Sequence, residues 1–466
     1  MSRINTNISS LQAIRQLSQN QGDLSLHLQR LSSGLKINTG ADAPAALIAS
    51  ENLKSEINGI NQAIDNASRA GNVVNTAEGA LSEVNSLLLQ VQTLTNQAAN
   101  SGALSPAEIQ ANQLQVDSVL NSINRISNTT EFNGVKLLNG QLDYTTSGIA
   151  ASAISQAQIN SASLPDNGQT QITVQVTASA KFGEVDFLGA GIGAAPTTVE
   201  IAGNVGTQQL SFANGTANSA VAFAINQIKD STGVSATSSA TGVRLVTTGF
   251  GSRQFVSLKT ITGAFANGKA KGANAVVNIN GQRANVDGLK ASVRSDNLDI
   301  TLNLSQAFGQ QTATTKNFYV TGGGAKFQVG SAVTRLGQVN LGIAAIGTGD
   351  LGDASNGFLS SLGTGGLNSL TGGNTIQAQR IITEAITQVA ELRGRLGAFQ
   401  KDTLTTNVNS LNVALQNVTA SQSTIADADF AAETASLTRS QILVQANTSV
   451  LATANSTPQS VLKLLQ

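Results

Sequence analysis

The 466-residue chain has no cysteine, no tryptophan and a single histidine, His27. Without cysteine the chain has no disulfides, no thiolate metal ligands and no thiol nucleophile. A zinc-protease motif of the HExxH type needs two histidines and is therefore excluded. No second histidine or cysteine can join His27 in catalysis. The sequence predicts a structural or interfacial histidine, no catalytic residue, no metal site, no cofactor and no enzymatic activity.

Charge is also sparse and evenly balanced. The chain has 27 basic and 27 acidic residues, and 12% of its residues are charged. Such a surface has no electrostatic reason to bind nucleic acid or an anionic membrane. No apolar run approaches the roughly 18 residues of a membrane span. Polarity comes instead from Asn, Gln, Ser and Thr, which suits surfaces that are buried against copies of the same chain, although an ordinary low-charge soluble protein remains an alternative.

The N-terminal segment also lacks the features of a secretory signal peptide. Residues 1–18, MSRINTNISSLQAIRQLS, contain neither an apolar central region nor a small-residue cleavage site. If the protein leaves the cell, we expect a different export route.

Apolar residues in the first zone, Met1 to about Gly140, recur at helical spacing. After a break at Gly40–Pro44, a stripe of about five heptads predicts one long helix that ends near Ala98–Gly102. A second helix is predicted to begin at Ser105 as N-cap, with Pro106 at the first helical position and Glu108 completing a capping box.

The last zone, about Thr371 to Gln466, shows the same spacing. Its stripe is offset by a stutter near Gln400. Asp427 and Asp429 are interpreted as capping residues before the last helix rather than as a metal pair. Pro458 is predicted to interrupt that helix, so that Val461–Leu465 form a separate short amphipathic end.

Between these zones, about Leu142 to Leu370, the pattern changes to dense glycine and alternating apolar residues. Strands are predicted at 171–176, 243–246, 275–279 and 298–302, with one helix carrying Val221, Ile225 and Ile228. The predicted fold class is therefore α+β and multidomain. A long antiparallel, coiled-coil-like bundle pairs the N- and C-terminal ends, and a β-rich outer domain of ββα type is inserted between them.

Slender helices of this kind cannot bury their apolar stripes alone. The faces opposite the stripe carry amides such as Asn72 and Gln90 rather than the Lys and Glu pairs of exposed helices. This favours assembly over a solitary bundle. Contacts that do not close a ring would give an open helical filament. Residues 1–40 and about 427–466 lack a third partner, so we expect them to order only when neighbouring copies supply the missing faces.

Several segments resemble bacterial flagellins. They are QRLSSGLKIN at 29–38, TAEGALSEVN at 76–85, FNGVKLL at 132–138, LTRSQIL at 437–443, QAN at 445–447 and PQSVL at 458–462. The resemblance covers both ends in the same order, about half of the chain. It implies a structural subunit of an extracellular flagellar filament that is used for motility and exported unfolded through the flagellar type III channel. The implied partners are copies of the same chain, an export chaperone for the C-terminal helix, the filament cap and the hook-junction proteins.

The resemblance also implies a domain layout. Residues 1–44 and 427–466 would form the terminal helices of the inner filament core. Residues 45–170 and 320–426 would form a helical shell with a β-hairpin region, and 171–319 a variable β-rich outer domain.

Two groups of apolar residues are the candidate sites. The predicted assembly interface comprises Leu24, Leu28, Leu31, Leu35, Phe430, Leu437, Val444 and Leu451. The predicted seam within the bundle comprises Ile57, Ile64, Leu81, Leu88, Leu392, Leu396, Leu411 and Leu415.

One departure from the family pattern concerns an animal Toll-like receptor. Flagellins that this receptor detects carry arginines in the segment aligned with 89–94, where this chain has Gln90 and Gln92. The resemblance therefore implies weak recognition. A hook–filament junction protein, with similar ends, and an adhesin that uses the middle domain remain the alternatives.

Overall fold

The computed structural model describes residues 6–464 apart from 166, 167, 190, 194, 266 and 296, and for 458–464 it describes the backbone alone. The side chains of the predicted amphipathic end Val461–Leu465 lie outside this description. The chain divides into two compact units. The first contains Met1–Arg69, Gln328–Gln338 and Lys401–Gln466, and the second contains Ala70–Phe327 and Val339–Gln400.

The described residues form long helices at both ends and short ones between them. The α-helices are α1 (Ile8–Ser33), α2 (Pro44–Ala99), α3 (Pro106–Thr129), α4 (Asn218–Gln227), α5 (Lys229–Thr232), α6 (Gln306–Gly309), α7 (Thr375–Ala398), α8 (Thr406–Ala426) and α9 (Phe430–Leu464). Short 3₁₀ turns lie at Arg335–Gly337, Leu359–Leu362 and Leu370–Gly372.

The predicted start of α3 is confirmed in detail. Ser105 accepts a hydrogen bond from the backbone N–H of Glu108 through its hydroxyl oxygen at 3.3 Å. The Glu108 carboxylate accepts in return from the backbone N–H of Ser105 at 2.7 Å. Pro106 occupies the first turn, where its missing N–H leaves no bond unmade. Local chemistry alone therefore fixes this helix boundary.

The predicted stutter near Gln400 takes the form of a π-helical segment. Residues Phe399–Thr405 form this segment between α7 and α8. A π-turn inserts an extra residue into the helical repeat, which shifts the phase of the apolar stripe that follows.

The prediction that Pro458 interrupts the last helix is wrong. Helix α9 continues from Phe430 to Leu464. Proline has no backbone N–H to donate to the carbonyl four residues earlier, which here is that of Ala454. That carbonyl accepts a hydrogen bond of 2.7 Å from the Asn7 side-chain amide instead. The carbonyl that proline leaves without a helical donor is thus bonded by a side chain that precedes another helix.

The middle of the chain is built from antiparallel strands. They are β1 (Glu131–Phe132), β2 (Val135–Lys136), β3 (Tyr144–Ser147), β4 (Ile154–Ala162), β5 (Thr170–Ala178), β6 (Glu184–Leu188), β7 (Thr197–Gly203), β8 (Thr207–Phe212), β9 (Val234–Ser239), β10 (Gly242–Thr247), β11 (Phe255–Thr262), β12 (Gly268–Lys271), β13 (Val276–Ile279), β14 (Gln282–Arg283), β15 (Asn285–Asp287), β16 (Lys290–Ser295), β17 (Leu298–Leu304), β18 (Thr314–Gly323), β19 (Ala325–Gln328), β20 (Gln338–Leu341), β21 (Gly352–Asp353) and β22 (Gly357–Phe358).

These strands build two lobes, each with its own core. In the basal lobe, a sheet in the order β14-β13-β5-β18-β3 and a sheet in the order β15-β16-β17-β4 enclose one apolar cluster. Alternate residues of β5, Ile172, Val174 and Val176, are fully buried. This alternation is the period of a strand with one face in the core.

The second, nested lobe is inserted into the basal lobe between β5 and β13. Its sheets, β6-β10-β9 and β12-β11-β7-β8, share a core with α4, to which Val221 and Ile225 contribute. The order β7-β8-α4 matches the predicted ββα arrangement. The chain enters and leaves this lobe at Lys181 and Ala273, whose backbones exchange two hydrogen bonds of 2.9 Å. The predicted limits of the outer domain, 171 and 319, fall inside β5 and β18.

The fully buried helical stripe lies in the second unit. Along α2 it includes Val74, Leu81 and Leu88, and along α7 it includes Val389 and Leu396. An ion pair also joins these two helices, because the Nε of Arg393 donates to the Glu78 carboxylate at 2.8 Å. Close packing of slim side chains is what the long heptad stripe predicts.

Candidate assembly interface

Helices α1 and α9, which carry the predicted assembly residues, are both capped by side chains from the preceding residue. The Asn7 carbonyl oxygen accepts from the backbone N–H of Ser10 at 3.0 Å. Helix α1 ends at Gly34, which adopts a left-handed conformation with φ of 71°, as glycine does at helix ends. The Asp429 carboxylate accepts from the backbone N–H of Ala431 and Ala432 at the start of α9. Asp429 is thus a capping residue, as the sequence predicts.

The two helices lie antiparallel and are joined by backbone hydrogen bonds where α1 ends and α9 begins. Leu35 and Asp427 form an isolated antiparallel bridge. Lys36 donates its N–H to the carbonyl of Ala426 at 2.7 Å, and Ala428 donates to the carbonyl of Gly34 at 3.0 Å. This short pairing fixes the turn from which both terminal helices extend.

A cluster of three ionisable side chains joins the same two helices about two turns further along. His27 Nδ1 lies 2.7 Å from a carboxylate oxygen of Glu433, and a guanidinium nitrogen of Arg30 lies 3.6 Å from that oxygen. All three side chains are mostly buried. The single histidine therefore has an interhelical role.

The loop between α1 and α2 is ordered around one carboxylate. Asp42 accepts hydrogen bonds from the backbone N–H groups of Thr39 and Asn38, at 2.7 and 3.0 Å. These bonds favour the ionised form and lower the pKa of Asp42 below its ordinary value. The connection from the terminal helix to the long helix is thus a defined turn.

Unlike α2 and α7, the terminal helices bury little of their apolar surface within the chain. Ala13 is the one buried residue among those described in α1. Ser440 is the one buried residue among the side chains described in α9. Phe430 is 69% exposed and Leu28 is 49% exposed. The other large apolar residues left exposed on these helices are Ile8, Leu11, Ile14, Ile442, Leu443 and Val450. Exposed apolar area of this extent is typical of a surface that another protein covers.

The predicted interface residues occupy several environments in the chain. Leu24, Leu31, Leu437, Val444 and Leu451 are half-buried, and Leu28 and Phe430 are exposed. Leu35 is also half-buried but lies beyond the end of α1, in the bridge to Asp427. Their contribution to assembly stays a prediction.

The predicted seam residues separate by unit. Leu81, Leu88, Leu392 and Leu396, in the second unit, are buried. Ile57, Ile64, Leu411 and Leu415, in the first unit, are half-buried. The half-buried group leaves apolar surface on the first unit in addition to that of α1 and α9.

Sequence reasoning missed two polar contacts of the terminal helices. One is the pairing of His27 with Glu433, and the other is the hydrogen bond from Asn7 to Ala454. An asparagine just before an apolar periodic run is a sequence signal for an N-cap, so the first role of Asn7 could have been found. Its partner in α9 could not, because the two lie 447 positions apart.

No group of three or more potential metal-binding side chains occurs in the part of the chain that the structure describes. None of the helices in that part combines the length and apolarity needed to cross a bilayer. Among the described residues, α1 and α9 each carry four exposed large apolar residues, more than any other element.

Comparison with known proteins matches both helical ends. The bacterial flagellin N-terminal helical region matches residues 4–143, and the bacterial flagellin C-terminal helical region matches residues 379–465. A flagellin of Salmonella rubislaw is 30% identical over 506 aligned positions, which cover 99% of each chain. The chain belongs to the bacterial flagellins. The B-type flagellin of Pseudomonas aeruginosa is 29% identical over 516 positions, again covering 99% of each chain.

As a flagellin, the protein is a structural subunit of the extracellular flagellar filament and not an enzyme. The polar flagellin F of Vibrio parahaemolyticus is 28% identical and is matched over 99% of both chains. Among solved structures, FliC from Burkholderia pseudomallei is 18% identical and covers 71% of this chain and 98% of that chain, with a TM-score of 0.24.

Proposed function

We propose that this flagellin polymerises into the filament through α1 and α9, which act as one paired unit. The observation that supports this is the contrast in burial between the two sets of helices. The stripes of α7 and of the part of α2 in the second unit, such as Leu81 and Leu88, are buried inside the chain. In contrast, α1 and α9 leave residues such as Leu11, Leu28 and Phe430 exposed. When neighbouring copies cover these residues, apolar surface is removed from water, which stabilises the polymer by about 25 cal/mol for each Å² buried.

Order in the terminal helices is coupled to assembly in this proposal. A pair of helices with few buried residues is marginal in water, because nucleating a helix is unfavourable and tertiary packing supplies most of its stability. Neighbouring copies supply the missing packing at the growing tip.

Removal of residues 427–466 tests the role of α9. We expect a soluble monomer with an intact second unit that no longer forms filaments, since α1 loses its partner and half of the proposed interface. Circular dichroism would measure folding, and sedimentation with electron microscopy would measure polymer. Truncated protein that forms filaments of normal yield and length would overturn the proposal.

The other proposed partners act during export and at the ends of the filament. In this proposal the chain travels unfolded through the flagellar type III channel, and a chaperone covers the apolar face of the C-terminal helix beforehand. The filament cap and the hook-junction proteins contact the ends of the polymer. Exposed Phe430, Ile442 and Leu443 give α9 a surface that needs cover in the cytoplasm.

We also propose that the animal Toll-like receptor recognises this flagellin weakly, because two positions of α2 carry glutamine. Gln90 is exposed and Gln92 is half-buried on this helix, so neither offers the cation that the resemblance implies for detected flagellins. A reporter-cell assay should show low potency for this flagellin and a higher potency for the double variant Gln90→Arg, Gln92→Arg. The exposed Gln97→Arg serves as the control for added charge. High potency of the unmodified protein, or no gain in the double variant, would refute this.

A further inference from the structure

Asn7 bonds to two helices at once. Its carbonyl oxygen accepts from the backbone N–H of Ser10 at 3.0 Å and so caps α1. The amide nitrogen of the same side chain donates to the backbone carbonyl of Ala454 in α9 at 2.7 Å. An N-cap needs only the acceptor, so the second bond calls for a separate explanation.

The backbone carbonyl of Ala454 has no hydrogen-bond donor within α9, because its helical partner would be Pro458. In an α-helix each carbonyl accepts from the N–H four residues later, and Pro458 has no N–H. It is the single proline in α9. Carbonyls near Ala454 have their own helical donors, so a displacement of α9 by one or two residues would offer Asn7 a carbonyl that is already bonded. The proline therefore marks one position along α9.

The other polar links between the two helices agree with a single alignment. The Asn7–Ala454 bond and the His27–Glu433 contact are separated by 20 residues on the side of α1 (positions 7 and 27) and by 21 residues in α9 (positions 433 and 454). Both contacts therefore fit one alignment of the two antiparallel helices. The apolar side chains between these points are Ala, Val, Ile and Leu, and none of these has a polar group that would select one alignment. In coiled coils a single buried asparagine is enough to select one alignment.

We infer that Asn7 is a positioning residue, which sets the axial alignment of α9 against α1 by supplying the hydrogen bond that Pro458 withdraws. The inference rests on the proposed function, in which neighbouring copies pack on a surface that both helices build. A slip by one helical turn would displace the apolar residues of α9 relative to those of α1 by about 5.4 Å. Neighbouring copies would then meet a surface that no longer fits them.

Four full-length proteins test the inference: the unmodified chain, Asn7→Asp, Pro458→Ala and the double variant. Aspartate caps a helix as well as asparagine does and suits the positive end of the helix dipole, but its carboxylate has no proton to donate to Ala454. Alanine at position 458 restores an N–H for that carbonyl. The exposed Gln208→Glu on β8 of the nested lobe is the control, because it also replaces an amide by a carboxylate and adds the same charge, but lies outside the proposed interface.

Two readouts are measured: the critical concentration for polymerisation, and amide exchange in the segment 450–458. We expect Asn7→Asp to raise the critical concentration about fivefold, the size expected for one intramolecular hydrogen bond, and to accelerate exchange in this segment. In the Pro458→Ala background the same change should have less than about a twofold effect. The control Gln208→Glu should match the unmodified chain.

Two outcomes overturn the inference. One is an Asn7→Asp protein that behaves like the unmodified chain in both readouts. The other is an equal effect of Asn7→Asp with and without Pro458, which would show that Asn7 acts only as a cap. If the unmodified chain itself does not polymerise, the proposed function fails. In that case the order of α9 does not depend on assembly, and exchange in the segment 450–458 is compared between the two monomers. Faster exchange in Asn7→Asp than in the unmodified chain supports the inference, and equal exchange overturns it.

Discussion

At the scale of single residues, burial distinguishes side chains that stabilise the fold from side chains that stay exposed on the same helix. Leu88 and Leu89 are adjacent in α2, yet Leu88 is fully buried and Leu89 is 46% exposed. Their side chains are identical, so a difference between them measures environment alone.

Replacing these two leucines therefore gives a matched pair. Leu88→Ala should lower the free energy of unfolding by about 2–5 kcal/mol, because it removes buried methyl groups and leaves a cavity. Leu89→Ala should cost less than about 1 kcal/mol. Denaturant unfolding of the full chain measures both, and equal losses would contradict the assignment of the buried stripe to the Leu88 face.

Leu31 provides the corresponding test of the interface. It is half-buried on α1, and we expect Leu31→Asp to block assembly, because the interface would have to bury a carboxylate without a partner. Ser32→Asp on the exposed neighbouring position serves as the control. Sedimentation of polymer measures the outcome, and normal filaments from Leu31→Asp would place Leu31 outside the interface.

At the scale of elements, the capping box of α3 links helix stability to pH. Hydrogen bonds from the backbone N–H and the hydroxyl of Ser105 lower the pKa of Glu108. A carboxyl group whose pKa is lower in the folded state than in the unfolded state stabilises the fold when the pH is above its unfolded-state pKa. This stabilisation is lost as the pH falls through the folded-state pKa. The first turn of α3 should therefore loosen in acid.

Ser105→Ala tests this linkage. We expect the pKa of Glu108 to rise towards its ordinary value and amide exchange in the first turn of α3 to accelerate roughly fivefold at neutral pH. The difference from the unmodified protein should shrink as Glu108 protonates. Ser122→Ala, a non-capping serine of the same helix, is the control. A difference that stays constant down to low pH would show that Glu108 takes no part in the cap.

At the scale of the whole molecule, the chain enters and leaves the nested lobe through one pair of adjacent residues, while Phe250 and Arg253 of that lobe also contact the basal lobe. Lys181 and Ala273 exchange two backbone hydrogen bonds, so the basal lobe closes at the point where the nested lobe leaves it. Among the described residues, the core of the basal lobe, which includes Ile172, Ile300 and Phe318, draws no buried residue from the nested strands β6 to β12.

Excision of residues 182–272, with Lys181 joined to Ala273 through an Asn-Gly turn, should therefore leave a protein that folds and polymerises. Two-residue turns of this type suit antiparallel neighbours. Electron microscopy of filaments and thermal unfolding would measure the outcome. Excision of 171–319 is the comparison, and it should fail to fold the basal lobe because it removes β5 and β17. Loss of folding in the smaller deletion would show that the two lobes depend on each other.

How much the sequence predicts varies with the range of the interactions involved. The start of α3 at Ser105, the end of α2 at Ala99 and the stutter at Phe399–Thr405 were all predictable, because caps and heptad phase are set by residues a few positions apart. The strands β5, β10, β13 and β17 were predictable from alternation for the same reason. Their partners were not, since β5 pairs with β13 and β18, each about a hundred or more positions away.

The sequence by itself thus determined the helical ends, the β-rich middle, the balanced low charge and the lack of cysteine and of a second histidine. Only the tertiary structure decided that one lobe is nested inside another, that His27 pairs with Glu433, and that α9 runs through Pro458. The physical reason is common to all three. Each depends on a donor, an acceptor or a strand edge from a distant part of the chain, and local preference cannot choose among the many partners of equal chemistry that the chain offers.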